Sequence, residues 1–133
     1  MNKTDILTRL RAFPYDPGEY WVVTGGAMVL HGLRERTHDI DLGCTSALAD
    51  RLEAEGFSCE ILADGTRHLR LSDELELFEN WLCDRVVFLD GIPVISLPGL
   101  LEMKQRLGRE KDRRDVQLIL DRMRTLLDRK SVV

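Results

Sequence analysis

Asp39 and Asp41 are the side chains of this 133-residue chain whose type and spacing point most directly to chemistry. They stand in Asp39-Ile40-Asp41-Leu42, an alternating run that predicts a strand with both acids on one face and Ile40 and Leu42 on the other. Carboxylates two residues apart on a pleated strand lie within about 7 Å of each other. Like charges that close raise each other's pKa unless a cation lies between them. Oxygen ligands suit a hard ion such as Mg²⁺, which one or two carboxylates hold together with the phosphates of a substrate.

The segment before the acids offers a place for those phosphates. Tyr20-Trp21-Val22-Val23 reads as a strand, Gly25-Gly26 as a tight turn, and residues 27–33 as a short helix, apolar nearly all round and therefore buried, that ends near Gly32. The glycines let backbone approach a ligand closely, and the helix they open offers unpaired N–H groups to an anion. His31, with no second histidine at a metal-like spacing, reads as a structural core residue. In Arg34-Glu35-Arg36-Thr37-His38, two arginines and a histidine precede the acids; they suit phosphate neutralisation, and equally a solvated charged loop.

An apolar strand, Gly25-Gly26, twelve further residues (27–38) and then Asp39-Ile40-Asp41-Leu42 resemble the signature of the nucleotidyltransferase superfamily, the DNA polymerase β-like fold. The resemblance implies an α+β architecture: a mixed β-sheet with hairpins, helices packed against it, and two C-terminal helices closing one side of a cleft. It also implies a third acid on a later strand beside the Asp-x-Asp strand. Leu75-Glu76-Leu77 fits that pattern, with Glu74 as the competing choice. Nearer the C-terminus, Lys104-Gln105-Arg106-Leu107-Gly108-Arg109-Glu110-Lys111-Asp112-Arg113-Arg114-Asp115 resembles a segment of small nucleotidyltransferase-like proteins, the AbiEii-type toxins among them.

Carried over residue by residue, the resemblance implies that Asp39, Asp41 and Glu76 bind two Mg²⁺ ions. It implies that Gly25, Gly26, Arg36, Thr37, Lys104 and Lys111 contact an NTP. Asp112 or Asp115 would orient the lysines or act as base. The implied reaction is transfer of a nucleoside monophosphate to a hydroxyl of RNA, protein or a small molecule, with a toxin–antitoxin setting for AbiEii-like relatives. A homodimer or another protein would complete the acceptor site of so short a chain. The alternative is a catalytically inactive module that binds nucleotide or a partner protein.

The remaining elements form the scaffold. Residues 2–13 read as an amphipathic helix ended by Pro14 and the Asp16-Pro17-Gly18 turn. Residues 46–55 read as a helix capped by Ser46, and residues 57–62, 68–71 and 74–78 as short alternating strands. Residues 85–89 and 92–95 form a hairpin about Asp90-Gly91. Ser96 caps a helix with Leu97, Leu100, Leu101, Lys104 and Leu107 on one stripe, where Lys104 either snorkels to solvent or enters the cleft. From Glu110 a last helix carries Val116, Ile119, Leu120, Met123 and Leu127 inward, and the stripe extends back to Asp112 and Asp115.

Composition agrees with a single domain over residues 1–133, 44% hydrophobic and 32% charged. A net charge of −4 gives no global basic field, which disfavours tight sequence-independent grip on long nucleic acid. Cys44, Cys59 and Cys83 lack metal spacing and are odd in number, as expected of free thiols in a reducing compartment. With no signal-like start and no apolar run near the roughly 20 residues that span a bilayer, the expected location is the cytoplasm, with no membrane partner.

Overall fold

The computed structural model describes residues 1–81 and 85–131. Its elements run α1 (Lys3–Arg11), β1 (Tyr20–Val23), α2 (Thr24–Leu30), β2 (Ile40–Cys44), α3 (Ser46–Ala54), β3 (Ser58–Ile61), β4 (Arg67–Ser72) and β5 (Leu75–Glu79). They continue with β6 (Val86–Leu89), β7 (Ile92–Ile95), α4 (Leu97–Leu107) and α5 (Glu110–Ser131). Among the described residues the strands form one mixed sheet in the order β3-β4-β5-β2-β1-β7-β6. The hairpin neighbours pair antiparallel, as does β1 with β2, while β2–β5 and β1–β7 are parallel.

Local chemistry accounts for these elements. Asn2 caps α1 through a reciprocal pair of hydrogen bonds with Asp5. Asp90 and Gly91 both adopt positive φ, 51° and 79°, as the two-residue hairpin between β6 and β7 requires. Ser96 caps α4, and Gly108 ends it in the left-handed conformation at φ 58°. The apolar face of β2 (Ile40, Leu42 and Cys44, each 0% exposed) joins Tyr20, Val22, Met28, Leu48, Leu52 and Leu77 in one core cluster. That burial is what fixes the register of the acids: a slip by one residue would put Asp41 into the core.

Several expectations need correction. Gly25 and Gly26 are not a turn but lie in the first turn of α2, and the positive φ falls on Thr24, at 52°. The cap of α3 is Thr45, whose hydroxyl accepts from the Leu48 amide, rather than Ser46. On α5 the inward face is Asp112, Asp115 and Ile119, whereas Leu120 and Leu127 are exposed; the helix turns its acids, not its full apolar stripe, towards α4. Cys44 and Cys59 are free thiols, and Cys83 lies outside the described residues. No helix among the described residues is long and apolar enough to cross a membrane.

Candidate active site

β2 sits between β1 and β5, and its register fixes the neighbours of Asp41: Val23 on one side and Glu76 on the other. Asp41 therefore lies at the point where β1 hands over to α2. There the Thr24 hydroxyl donates to Asp41 Oδ2 at 2.7 Å. A β-branched residue at positive φ is an outlier, and this hydrogen bond holds Thr24 in it. Burial pushes the Asp41 carboxyl above the usual carboxylate range, Asp39 and Glu76 add to the rise, and the Thr24 bond and His68 oppose it. Its other oxygen, Oδ1, is buried with no hydrogen-bond partner. Thr24 is a site residue that sequence reasoning missed; a hydroxyl immediately before Gly25-Gly26 was the available signal.

The two candidates for the third acid part company. Glu74 forms an ion pair with Arg9 of α1. Glu76 stands beside Asp41, but its Oε1 lies 2.6 Å from Arg70 Nη2, and its Oε2 lies 3.4 Å from His68 Nε2.

Asp39, Asp41, Thr24, Gly25, Arg34, Thr37 and His38 line a cleft of about 360 Å³, closed from the opposite side by Lys104, Arg109, Lys111 and Asp115 of the α4–α5 region. Gly25 is required here, because a Cβ would fall 2.6 Å from Thr37 Oγ1 and 3.2 Å from Arg34 Nη1. Gly26 faces inward instead, where a Cβ would meet Val22 at 3.0 Å. Arg36 is exposed and does not line the cleft; Arg34 does. Arg34 Nη2 donates to both oxygens of Asp115 at 2.7 Å.

Lys104 neither snorkels nor stands free for phosphate. It is buried, 2.9 Å from Asp115 Oδ2 and 3.5 Å from Asp112 Oδ1. Asp112 lies away from the cleft, where the Arg109 side chain and amide donate to it and hold its carboxyl below the usual range. Neither aspartate is free to act as a base, since both are engaged by cations. Lys111 is exposed at the cleft's edge.

Phe78 and Trp81 complete the wall. Phe78 is stacked between His68 at 4.6 Å and Trp81 at 4.0 Å. The Trp21 indole lies over Gly43, where a Cβ would meet Nε1 at 2.1 Å, and donates to the Trp81 carbonyl at 2.6 Å. An aromatic face of this kind suits a nucleobase or another flat ring.

Among the described residues no three His, Cys, Asp or Glu side chains form a ready-made metal cage. Glu76 is drawn to β4, so the predicted set Asp39, Asp41 and Glu76 is not assembled. Asp39 and Asp41 nonetheless fit a divalent cation, because Asp41 Oδ1 is buried without a partner and its carboxyl is crowded by like charge.

No family model matches the sequence, and no curated protein matches it at a significant level. Solved structures do. A candidate nucleotidyltransferase from Thermotoga maritima is 17% identical, superposes with a TM-score of 0.62, and the match covers 92% of this chain and 96% of that one. The lincosamide antibiotic adenylyltransferase LnuA, with lincomycin bound, is 18% identical with a TM-score of 0.52, covering 87% of this chain and 92% of that one. The chain thus has a nucleotidyltransferase-type fold, a mixed α/β sheet with two C-terminal helices.

Proposed function

We propose that the chain is a metal-dependent nucleotidyltransferase that moves a nucleoside monophosphate from an NTP to a hydroxyl acceptor. The observation that supports this most is the pairing within one cleft of Asp39 and Asp41 with the cations Arg34, Arg109 and Lys111. Asp39 and Asp41 would hold Mg²⁺, which when bound offsets the negative charge of the triphosphate and polarises its α-phosphorus. Gly25 lets Thr37 and Arg34 pack directly against the start of α2 at the cleft wall. Lys111, exposed at the cleft's edge, faces the leaving pyrophosphate and stabilises its charge. Trp81, backed by Phe78, presents the flat surface for the base. The acceptor oxygen bonds to the α-phosphorus, the bond to pyrophosphate breaks, and the hydroxyl proton is released to water.

Incubating the purified chain with α-labelled NTPs, Mg²⁺ and acceptors of three kinds (RNA, proteins, and small hydroxyl compounds including a lincosamide) tests this reading. Label on an acceptor with matching pyrophosphate release is expected. A second reading draws on Glu76, which is engaged by Arg70: the same cleft binds NTP without transferring it, as a nucleotide-binding module. NTP binding with no label on any acceptor class would favour it. The toxin–antitoxin setting is part of the proposal only if RNA or protein is the acceptor.

A further inference from the structure

The third-acid position of the cleft already carries a cation supplied by the chain. Glu76 stands in register between Asp41 of β2 and Arg70 of β4. Its Oε1 is 2.6 Å from Arg70 Nη2, and its Oε2 faces His68 at 3.4 Å. Both oxygens thus have partners on β4, and no group of three acids that could hold a metal ion occurs among the described residues. His68 is held in place by its ring, which lies within 7° of parallel to Phe78. The Arg70 side chain, by contrast, is 54% exposed while Glu76 is 16% exposed, so the guanidinium comes to the carboxylate from solvent.

We propose that Arg70 is the resident cation of Glu76, so that this chain holds one divalent ion, at Asp39 and Asp41, and takes a second only when Arg70 is displaced. The inference rests on the Asp39–Asp41 metal position of the reading above and not on turnover. Asp41 and Glu76 stand in register on neighbouring strands with Asp39 two residues away, an arrangement of three carboxylates that sets up like-charge repulsion. A second metal ion would relieve it, and so does a guanidinium, whose ion pair with Glu76 an incoming ion must break. Arg70 is therefore a positioning residue that sets how many metal ions the cleft accepts.

Counting bound Mn²⁺ by electron paramagnetic resonance, on the full chain and with Mn²⁺ alone raised to millimolar concentration, tests the proposal; melting curves check the fold of each variant. Wild type should bind one ion. Arg70→Gln should bind two, the second about tenfold or more tighter than any second ion on wild type, as expected for removal of a charge-assisted contact. Arg70→Lys should restore one, and adding Glu76→Gln to Arg70→Gln should return the count to one. Two ions of similar affinity on wild type, or a single ion on Arg70→Gln, would overturn the proposal while leaving the Asp39–Asp41 position intact. Asp41→Asn separates the layers: if it binds Mn²⁺ as wild type does, or if wild type binds none, the metal reading itself fails and this inference with it.

Discussion

Lys104 Nζ lies 2.9 Å from Asp115 Oδ2, with each side chain only 5% exposed, so α4 and α5 close on a buried ion pair rather than on hydrocarbon alone. Asp115 also receives Arg34. One carboxylate thereby ties the helix pair to the loop that leads into Asp39, and the cationic wall of the cleft is held against its acidic wall.

Lys104→Met should therefore destabilise the chain strongly. Removing one partner of a buried pair costs about 3–5 kcal/mol, and because Arg34 and Arg109 still neutralise the two aspartates the loss should fall near the lower end, about 3 kcal/mol. Lys111→Ala, at an exposed position, should stay within about 0.5 kcal/mol of wild type. Urea unfolding of both variants checks the contrast, and equal stabilities would remove the ion pair from the account of how α4 meets α5.

Glu79 gives the acid limb of the stability profile. The Arg67 guanidinium holds its carboxyl at about 2, against an ordinary 4.5. A depressed folded pKa stabilises the native state above the unfolded value and loses that contribution as pH falls through the folded one. Wild type should thus lose stability between about 4.5 and about 2, and Glu79→Gln should flatten that window while being less stable at neutral pH. Melting temperatures taken across the range report it; an unchanged slope would mean that Arg67 does not grip Glu79 in solution.

Gly25→Ala should act on the cleft loop. The new Cβ meets Thr37 Oγ1 at 2.6 Å, which displaces the hydroxyl from its bond to the Asp39 carbonyl at 3.2 Å. Overpacking of this kind costs about 1–3 kcal/mol. Because the most severe clash is with the Thr37 hydroxyl, ahead of Arg34 Nη1 at 3.2 Å, Thr37→Ala in the same chain should recover much of the loss. A double-mutant cycle measures the coupling, and strictly additive effects would place the strain elsewhere.

Alternation in Asp39-Ile40-Asp41-Leu42 made the acidic face legible, because period-two patterning is local and a buried Ile40 and Leu42 leave the acids one direction to face. The Asp90-Gly91 hairpin and the Ser96 cap were legible for the same reason. The fate of Lys104 was not: its partners lie about one and two turns beyond Gly108, on a second helix, and nothing in the stripe of α4 reveals that α5 brings two acids to it. Arg70 was hidden more deeply. Its meeting with Glu76 depends on the pairing of β4 with β5 through a register shift between Arg70 and Ser72, and on both flanking strands of β5 at once. The choice between Arg34 and Arg36 depended likewise on loop geometry, which spacing does not encode.

Asp41→Asn should leave the metal-free chain as stable as wild type or more so. A carboxyl whose folded pKa lies above its unfolded value costs stability once pH exceeds the unfolded value, and burial with Asp39 and Glu76 puts Asp41 in that class. Asparagine keeps an oxygen for the Thr24 hydroxyl. A drop in melting temperature at neutral pH would make Asp41 a structural residue.

Whether the cleft takes nucleotide through a divalent ion at Asp39 and Asp41 is decided by calorimetric titration of a non-hydrolysable ATP analogue into wild type and Asp41→Asn, with Mg²⁺ and with EDTA. Binding to wild type should require Mg²⁺ and weaken by about tenfold or more in a variant that is still folded. Equal affinity in the two proteins, or affinity indifferent to EDTA, would contradict it.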